Sequence, residues 1–148
     1  MKLLITCDRE DKSIFKDYEV NGDDYRVIDV FDDLSKMDEI SDNSCKEIFM
    51  NRNTVSSVNY SVFQEILPKI LTKLRKKGVL KLEYVDAVSV ARKLVTNAIT
   101  VQEFNDIITD ANGLPDSSYI YAELERNNII VTTMETQKFT VFLECIRI

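Results

Sequence analysis

The side chains that perform covalent chemistry in proteins are few in this chain, and they lack partners. It has three cysteines, Cys7, Cys45 and Cys145, and no histidine. A cysteine nucleophile needs an adjacent base, so no cysteine-based active site is predicted. General acid–base work would fall to carboxylates, lysines or tyrosines, and the sequence shows no pairing of these. We therefore predict no catalytic residue, and we expect the thiols to be buried small apolar side chains.

Acidic residues are the second candidate for chemistry, because carboxylate oxygens bind cations. Asp38, Glu39 and Asp42 lie close together in an acidic loop. The glycine and the terminal glutamate of an EF-hand loop are missing, so we predict no metal site. A solvated loop, in which Asp42 organises a turn, is the expected structure. Asp29 ends the second predicted strand and either begins a polar loop or binds a ligand.

Strand and helix patterns follow one another along the chain. Apolar residues recur at three- and four-residue steps from Val62 to Leu74, which predicts an amphipathic helix. Pro68 lies inside that pattern and is expected to kink the helix or to start a new one. The segment 75–78, Arg-Lys-Lys-Gly, predicts the end of the helix, since cations and then glycine are typical of helix C-termini. The predicted strands are residues 2–7, 25–31, 45–50, 79–84, 129–134 and 139–146.

Three further helices are predicted between the fourth strand and the last two. Asp86 is expected to cap the first, Thr100 and Glu103 form a capping box for the second, and Ser117 or Ser118 starts the third. The inner face of the first of these helices is predicted to carry Val88, Ala91, Leu94 and Val95.

Together the elements predict a single domain over residues 1–148. Strands that alternate with helices and end in a hairpin imply a three-layer α/β sandwich, with a mostly parallel sheet and a C-terminal antiparallel hairpin. No apolar run approaches the ~20 residues that a membrane helix needs. The N-terminus lacks the features of a signal peptide, so a cytoplasmic location is expected.

The charge of the chain bears on its partners. The net charge of −6 argues against a general nucleic-acid binder. The basic stretch from Lys69 to Lys81 is expected either to bind phosphate or an acidic partner, or to form the outer face of the helix. The outer face of the helix is the simpler interpretation. Tyr119 and Tyr121 form an aromatic patch that serves either an interface or internal packing.

Several segments carry a resemblance to a known family. Residues 1–7 are MKLLITC, residues 42–49 are DNSCKEIF, residues 66–71 are ILPKIL, and residues 77–82 are KGVLKL. These resemble the opening strand, the "pDnSvDeIy" segment and the "rvLkpGGxLxi" segment of small class I S-adenosylmethionine-dependent methyltransferases. Asp86 falls where that family often has Pro-Asp. The resemblance implies a Rossmann-like methyltransferase fold, shortened by a strand and a helix.

The resemblance also implies positions for the site. Cys7, Asp8 and Asp29 would line an S-adenosylmethionine pocket, with Asp29 bonding the ribose hydroxyls. Asn51 and Arg52 would face the methyl acceptor.

This sequence departs from the family pattern at its first turn. Thr6-Cys7-Asp8 replaces the usual Gly-Cys-Gly. Glycine lets the backbone approach a ligand closely, whereas side chains obstruct that approach. Asp8 would also place a negative charge near the methionyl carboxylate.

We therefore expect a degenerate methyltransferase-like protein without a cofactor. It would act through a protein partner as a non-catalytic binding, assembly or structural component, and it has the compact size of a viral accessory or virion protein. Homo-oligomer formation stays open. The alternative is an active S-adenosylmethionine-dependent methyltransferase with a divergent cofactor loop. A third hypothesis is a small module that binds an acidic partner through its basic helix.

Overall fold

A computed structural model describes residues 1–7, 25–30 and 34–148. Asp8 lies outside the described residues, so the expectation for it stays a prediction. The described residues include six strands: β1 (Lys2–Thr6), β2 (Tyr25–Asp29), β3 (Cys45–Met50), β4 (Leu74–Val85), β5 (Ile129–Gln137) and β6 (Thr140–Arg147).

The strands form one sheet in the order β2-β1-β3-β4-β6-β5. Strands β1 to β4 pair in parallel, while β6 runs antiparallel to both β4 and β5. This arrangement confirms the predicted mostly parallel sheet with a C-terminal antiparallel hairpin. β5 extends beyond its predicted end, to Gln137, whereas β6 begins at Thr140, one residue later than predicted, so Lys138 and Phe139 form the turn. Lys138 has a φ of 57°, and a positive φ of this kind is typical of two-residue hairpin turns.

Five α-helices and a short 3₁₀ helix connect the described strands. Asparagine, aspartate or threonine side chains cap the starts of all five α-helices, in agreement with their strong preference for that position. The helices are the 3₁₀ helix Leu34–Met37, α1 (Arg52–Ser57), α2 (Tyr60–Lys73), α3 (Ala87–Val95), α4 (Val101–Thr109) and α5 (Ser117–Arg126).

The predicted junction between α2 and β4 is wrong in its details. The helix continues through Pro68 and ends at Lys73, and the strand begins at once with Leu74. Cys45 and Glu47 of β3 pair with Leu74 and Val79 of β4, so extra residues bulge out of β4 between these two pairs. The bulge places the basic residues 75–77 in the strand rather than in the last helical turn.

Gly78 serves a different purpose from the predicted helix stop. Its φ is not positive, and Lys77 takes the left-handed conformation instead, with a φ of 62°. A Cβ at residue 78 would lie 2.8 Å from the Arg75 carbonyl oxygen and 3.0 Å from that of Cys45. Glycine is therefore needed here because two strands approach closely.

The predicted inner face of α3 is also wrong. Val88 is 47% exposed and Val95 is 81% exposed, whereas Val90 is buried. Val90 is the only fully buried residue of α3, so the side of the helix that is covered is not the one that the apolar spacing indicates.

The main hydrophobic core lies between the sheet and helices α1, α2 and α5. Apolar side chains from β1, β3, β4 and β6 meet buried residues of these helices, such as Phe63, Leu67, Ile120 and Leu124. The core fixes the carboxyl ends of the parallel strands, where the candidate site lies.

Candidate functional site

The sheet has a topological switch point beside β1. The chain places β2 on one side of β1 and then returns to place β3 on its other side. In open α/β sheets, ligands bind outside the carboxyl ends of the strands at such a point. The residues that follow β1, β2 and β3 are therefore the structural candidates for a ligand site.

Two of the residues that the sequence singles out lie at this edge. Asp29 ends β2 and is paired in register with Thr6, the last residue of β1. Both are buried, with Asp29 only 5% exposed. Cys7 follows directly, is half-buried, and packs against the core. The structure thus brings Cys7 and Asp29 to the same edge.

Asn51 follows β3 and caps α1. Its Oδ1 accepts hydrogen bonds from the backbone N–H of Thr54 and from the Thr54 hydroxyl, both at 2.9 Å. The Thr54 hydroxyl also lies 3.3 Å from the carbonyl oxygen of Ile5 in β1. Asn51 and Thr54 are buried. The first turn of α1 is therefore bonded onto the end of β1, across the switch point.

Arg52 points away from this buried network. Its Nε lies 3.9 Å from Glu83 Oε1, and its Nη1 lies 3.4 Å from the Thr140 hydroxyl. Burial raises the pKa of Glu83, and the charge of Arg52 partly opposes that rise. Arg52 lines a cleft of about 240 Å³ with Ile107 and Phe139. Asn51 is thus buried in the cap of α1, whereas its neighbour in sequence, Arg52, lines the cleft.

The residues at the switch point fit S-adenosylmethionine only in part. The buried carboxylate of Asp29 has the chemistry to accept hydrogen bonds from a diol. The end of β1, however, carries the buried side chain of Thr6 where a ligand needs glycine. The first turn of α1 lies next to this end of β1.

The acidic loop forms no metal site in the described part of the chain. Asp42 Oδ1 lies 2.7 Å from Lys73 Nζ, and the hydrogen bond from that lysine lowers the pKa of Asp42. Glu39 pairs with Arg26 at 3.1 Å. These carboxylates neutralise cations of the protein itself.

The prediction that the thiols are buried is confirmed for Cys45 and Cys145 and wrong for Cys7, which is only partly buried because it lies just beyond the end of β1. Burial raises the pKa of Cys45, and it raises the pKa of Cys145 to about 12. A thiol with a raised pKa is protonated at neutral pH and is a poor nucleophile. Neither cysteine is therefore suited to covalent catalysis.

The sequence identifies Asp86 as a helix cap but misses its second set of partners. Oδ2 accepts from the backbone N–H and hydroxyl of Ser89, and Oδ1 accepts from the same two groups of Ser117. The Tyr84 hydroxyl contacts the Ser117 hydroxyl at 2.8 Å. Burial opposes ionisation of Asp86, but the hydrogen bonds outweigh it and lower its pKa. The only sequence signal for these additional partners of Asp86 is the serine at residue 117.

A second cluster joins four neighbouring strands around Glu47. Its Oε1 accepts from the Tyr25 hydroxyl at 2.5 Å and from Lys81 Nζ at 3.2 Å, and its Oε2 lies 3.7 Å from Lys2 Nζ. Burial opposes the charge of Glu47, yet these bonds lower its pKa. Sequence spacing gives no hint of this contact, because it depends on strand order.

Comparison with known sequences finds no relative. No protein-family model matches the chain, and no curated protein matches it. In the described ranges, no helix is long and apolar enough to cross a membrane.

Comparison with solved structures finds the same fold at low sequence identity. An O-methyltransferase family protein from Burkholderia thailandensis matches with a TM-score of 0.62 and 9% identity over 99% of this chain. This chain spans only 43% of that protein. A SAM-dependent methyltransferase from Archaeoglobus fulgidus matches with a TM-score of 0.62 and 10% identity, covering 98% of this chain and 85% of that one. One from Methanosarcina mazei gives 0.60 and 11%, covering 99% and 92%. This chain therefore has a class I S-adenosylmethionine-dependent methyltransferase-like fold.

Proposed function

We propose that this protein is a non-catalytic binding, assembly or structural component built on a methyltransferase-like fold. The observation that carries the proposal is the bonded turn at the switch point, where Asn51 caps α1 and the Thr54 hydroxyl lies 3.3 Å from the Ile5 carbonyl oxygen of β1. Opening that turn for a ligand would leave buried polar groups without partners, at a cost of ~1–3 kcal/mol for each.

Two further observations support the proposal. The first is the buried Thr6 side chain at the turn where close ligand approach needs glycine. The second is the chemistry of the chain, which has no histidine to move protons near neutral pH. Its two buried thiols are held protonated. Each feature disfavours a working active site, although methyl transfer by positioning alone needs no general base.

Calorimetric titration with S-adenosylmethionine and S-adenosylhomocysteine tests the proposal. We expect no heat of binding and no thermal shift at millimolar ligand. A micromolar dissociation constant would overturn the proposal, because about 8 kcal/mol of binding free energy requires a formed pocket. Adenosine serves as the control for weak, nonspecific binding of the base and ribose.

The second candidate is an active S-adenosylmethionine-dependent methyltransferase with a divergent cofactor loop. The buried carboxylate of Asp29 at the end of β2 favours it, because a buried acid there suits ribose hydroxyls. If this candidate is correct, Asp29→Asn should weaken S-adenosylhomocysteine binding by about tenfold or more, which corresponds to one charge-assisted hydrogen bond. Asp38→Asn, at an exposed position away from the edge, should leave binding unchanged.

A further inference from the structure

Strand β5 forms one edge of the sheet and is exposed along almost its whole length. Among the described strands it pairs only with β6. Every residue of Ile129–Gln137 except Ile129 is exposed. An edge strand presents a row of backbone N–H and C=O groups that can pair with another strand.

This edge carries little of the protection that natural sheets usually give to an edge. Such edges commonly contain lysine, proline or several charges, or they are short. The nine residues of β5 contain neither lysine nor proline, and Glu135 is their only charged residue. A bulge at Thr132 interrupts the pairing with β6, but the stretch from Thr133 to Gln137 is regular.

Apolar side chains concentrate around the same edge. Tyr121 of α5 donates a hydrogen bond to the Met134 sulfur at 3.3 Å, and both residues are exposed. A cleft of about 360 Å³ lies between α5 and the beginning of β5. Of the eleven exposed large hydrophobic residues in the described ranges, five lie here: Tyr121, Ile130, Val131, Met134 and Ile148. Such a concentration marks an interaction surface.

We propose that β5 pairs antiparallel with β5 of a second copy of this chain, about a two-fold axis at Met134. A two-fold interface uses the same patch on both copies, so the strand must be complementary to itself. The charge of Glu135 disfavours one register, because an axis at Glu135 would oppose two like charges. With Met134 facing its counterpart, Glu135 lies opposite the uncharged Thr133.

The position of the axis fixes how much of the two strands overlaps. With Met134 at the axis, residues 131–137 of the two copies face one another, which gives about 24 Å of paired strand. This overlap is longer than the roughly five to six residues of a typical strand. The apolar side chains beside the strand, from Tyr121 and Ile148, widen the contact beyond the backbone. The two copies then share one continuous sheet, with their core faces on the same side.

Sedimentation over a concentration series tests the dimer. At roughly 100 µM we expect the wild type to be mostly dimeric, as a micromolar dissociation constant requires. Met134→Lys should weaken the dimer by about tenfold or more, because it places two like charges opposite each other at the axis. Val27→Lys is the matched control: Val27 is an exposed apolar residue on β2, at the opposite edge of the sheet, and its change should leave the dimer intact. Circular dichroism and thermal unfolding of both variants check that they fold.

Cysteine cross-linking tests the register. In a Cys7→Ser background, Met134→Cys should give a disulfide-linked dimer with an added oxidant, since residues facing each other across a strand pair lie within ~5 Å. Thr136→Cys should not cross-link, because the two copies of residue 136 would be more than ~10 Å apart along the strands.

Different results would overturn the interface and its register. A wild type that is monomeric throughout, or a dimer that Met134→Lys leaves unchanged, overturns the interface. Cross-linking through Thr136→Cys but not through Met134→Cys overturns the register. The inference deepens the proposed binding role by naming a partner, but its failure would leave the cofactor titrations unaffected, so the two proposals can fail separately.

Discussion

Asp86, at the end of β4, accepts hydrogen bonds from both the backbone N–H and the hydroxyl of Ser117, at 3.0 and 2.8 Å. The two residues are 31 positions apart. Because the other carboxylate oxygen caps α3 through Ser89, one buried side chain ties the starts of two helices to the sheet.

Replacement of Asp86 should therefore cost more than the loss of a single helix cap. A cap is worth ~1 kcal/mol, and an unsatisfied buried group adds ~1–3 kcal/mol, so we expect Asp86→Ala to lower the free energy of unfolding by about 2–4 kcal/mol. Urea denaturation measures the change. Asp38→Ala, at an exposed position, should change stability by less than ~0.5 kcal/mol. Equal losses in the two variants would show that Asp86 does not link the helices.

The same carboxylate should make stability depend on acid pH. Burial raises the pKa of Asp86, but the hydrogen bonds from Ser117 and Ser89 outweigh it, so the folded-state pKa lies below the ordinary value of an aspartate. The stabilisation is therefore complete above the unfolded value and is lost as the pH falls through the folded value. Wild-type stability should decline below about pH 4, and Asp86→Ala should decline less steeply. Parallel curves from denaturation at several pH values would contradict this assignment.

Adding a methyl group at Gly78 should destabilise the junction of β3 and β4. The new Cβ would lie 2.8 Å from the Arg75 carbonyl oxygen, 2.9 Å from Leu74 Cδ1 and 3.0 Å from the Cys45 carbonyl oxygen. Two of these neighbours are backbone atoms that move only with their strands, so we expect Gly78→Ala to cost ~1–3 kcal/mol.

Lys77→Gly provides the matched change at the adjacent residue. Lys77 has a φ of 62°, which glycine adopts without strain. The free energy of unfolding of the Lys77→Gly variant should equal that of the wild type or exceed it slightly. Thermal unfolding compares the two variants, and a larger loss for Lys77→Gly than for Gly78→Ala would refute the steric explanation.

Thiol labelling should distinguish the three cysteines. Cys7 is half-buried, while Cys45 and Cys145 are fully buried and have raised pKa values. Since thiolates near the surface react with aromatic disulfide reagents, we expect at most one thiol to react in the folded protein and three in denaturant. Cys7→Ser should remove the fast reaction. Rapid labelling of that variant would show that a buried cysteine is accessible.

The sequence predicted well the elements that depend on local signals. The Thr100–Glu103 capping box forms with both hydrogen bonds, and β3 covers the predicted residues 45–50. Asp86 caps α3 as expected. Short-range spacing determines such features, so no distant contact is needed to infer them. The resemblance to methyltransferases also gave the right fold, although a comparison of sequences alone finds no relative.

Predictions that required knowledge of neighbours were less successful. Val88 and Val95 have the spacing of a buried helix face, but both are exposed, and Val90 is buried instead. Gly78 was expected to end a helix, but the close approach of β3 gives it a different role. Helical periodicity shows which residues share a face and does not show whether anything covers that face.

The candidate site likewise combines features that the sequence predicts with features that only the tertiary structure shows. The sequence by itself determined that the turn after β1 has side chains in place of glycines, and that an aspartate ends β2. Only the tertiary structure decided that Asp29 lies beside Thr6, that Thr54 is bonded across the switch point to Ile5, and that Glu47 collects partners from neighbouring strands. These contacts join residues far apart in sequence, and strand order and register, rather than local spacing, determine which residues meet.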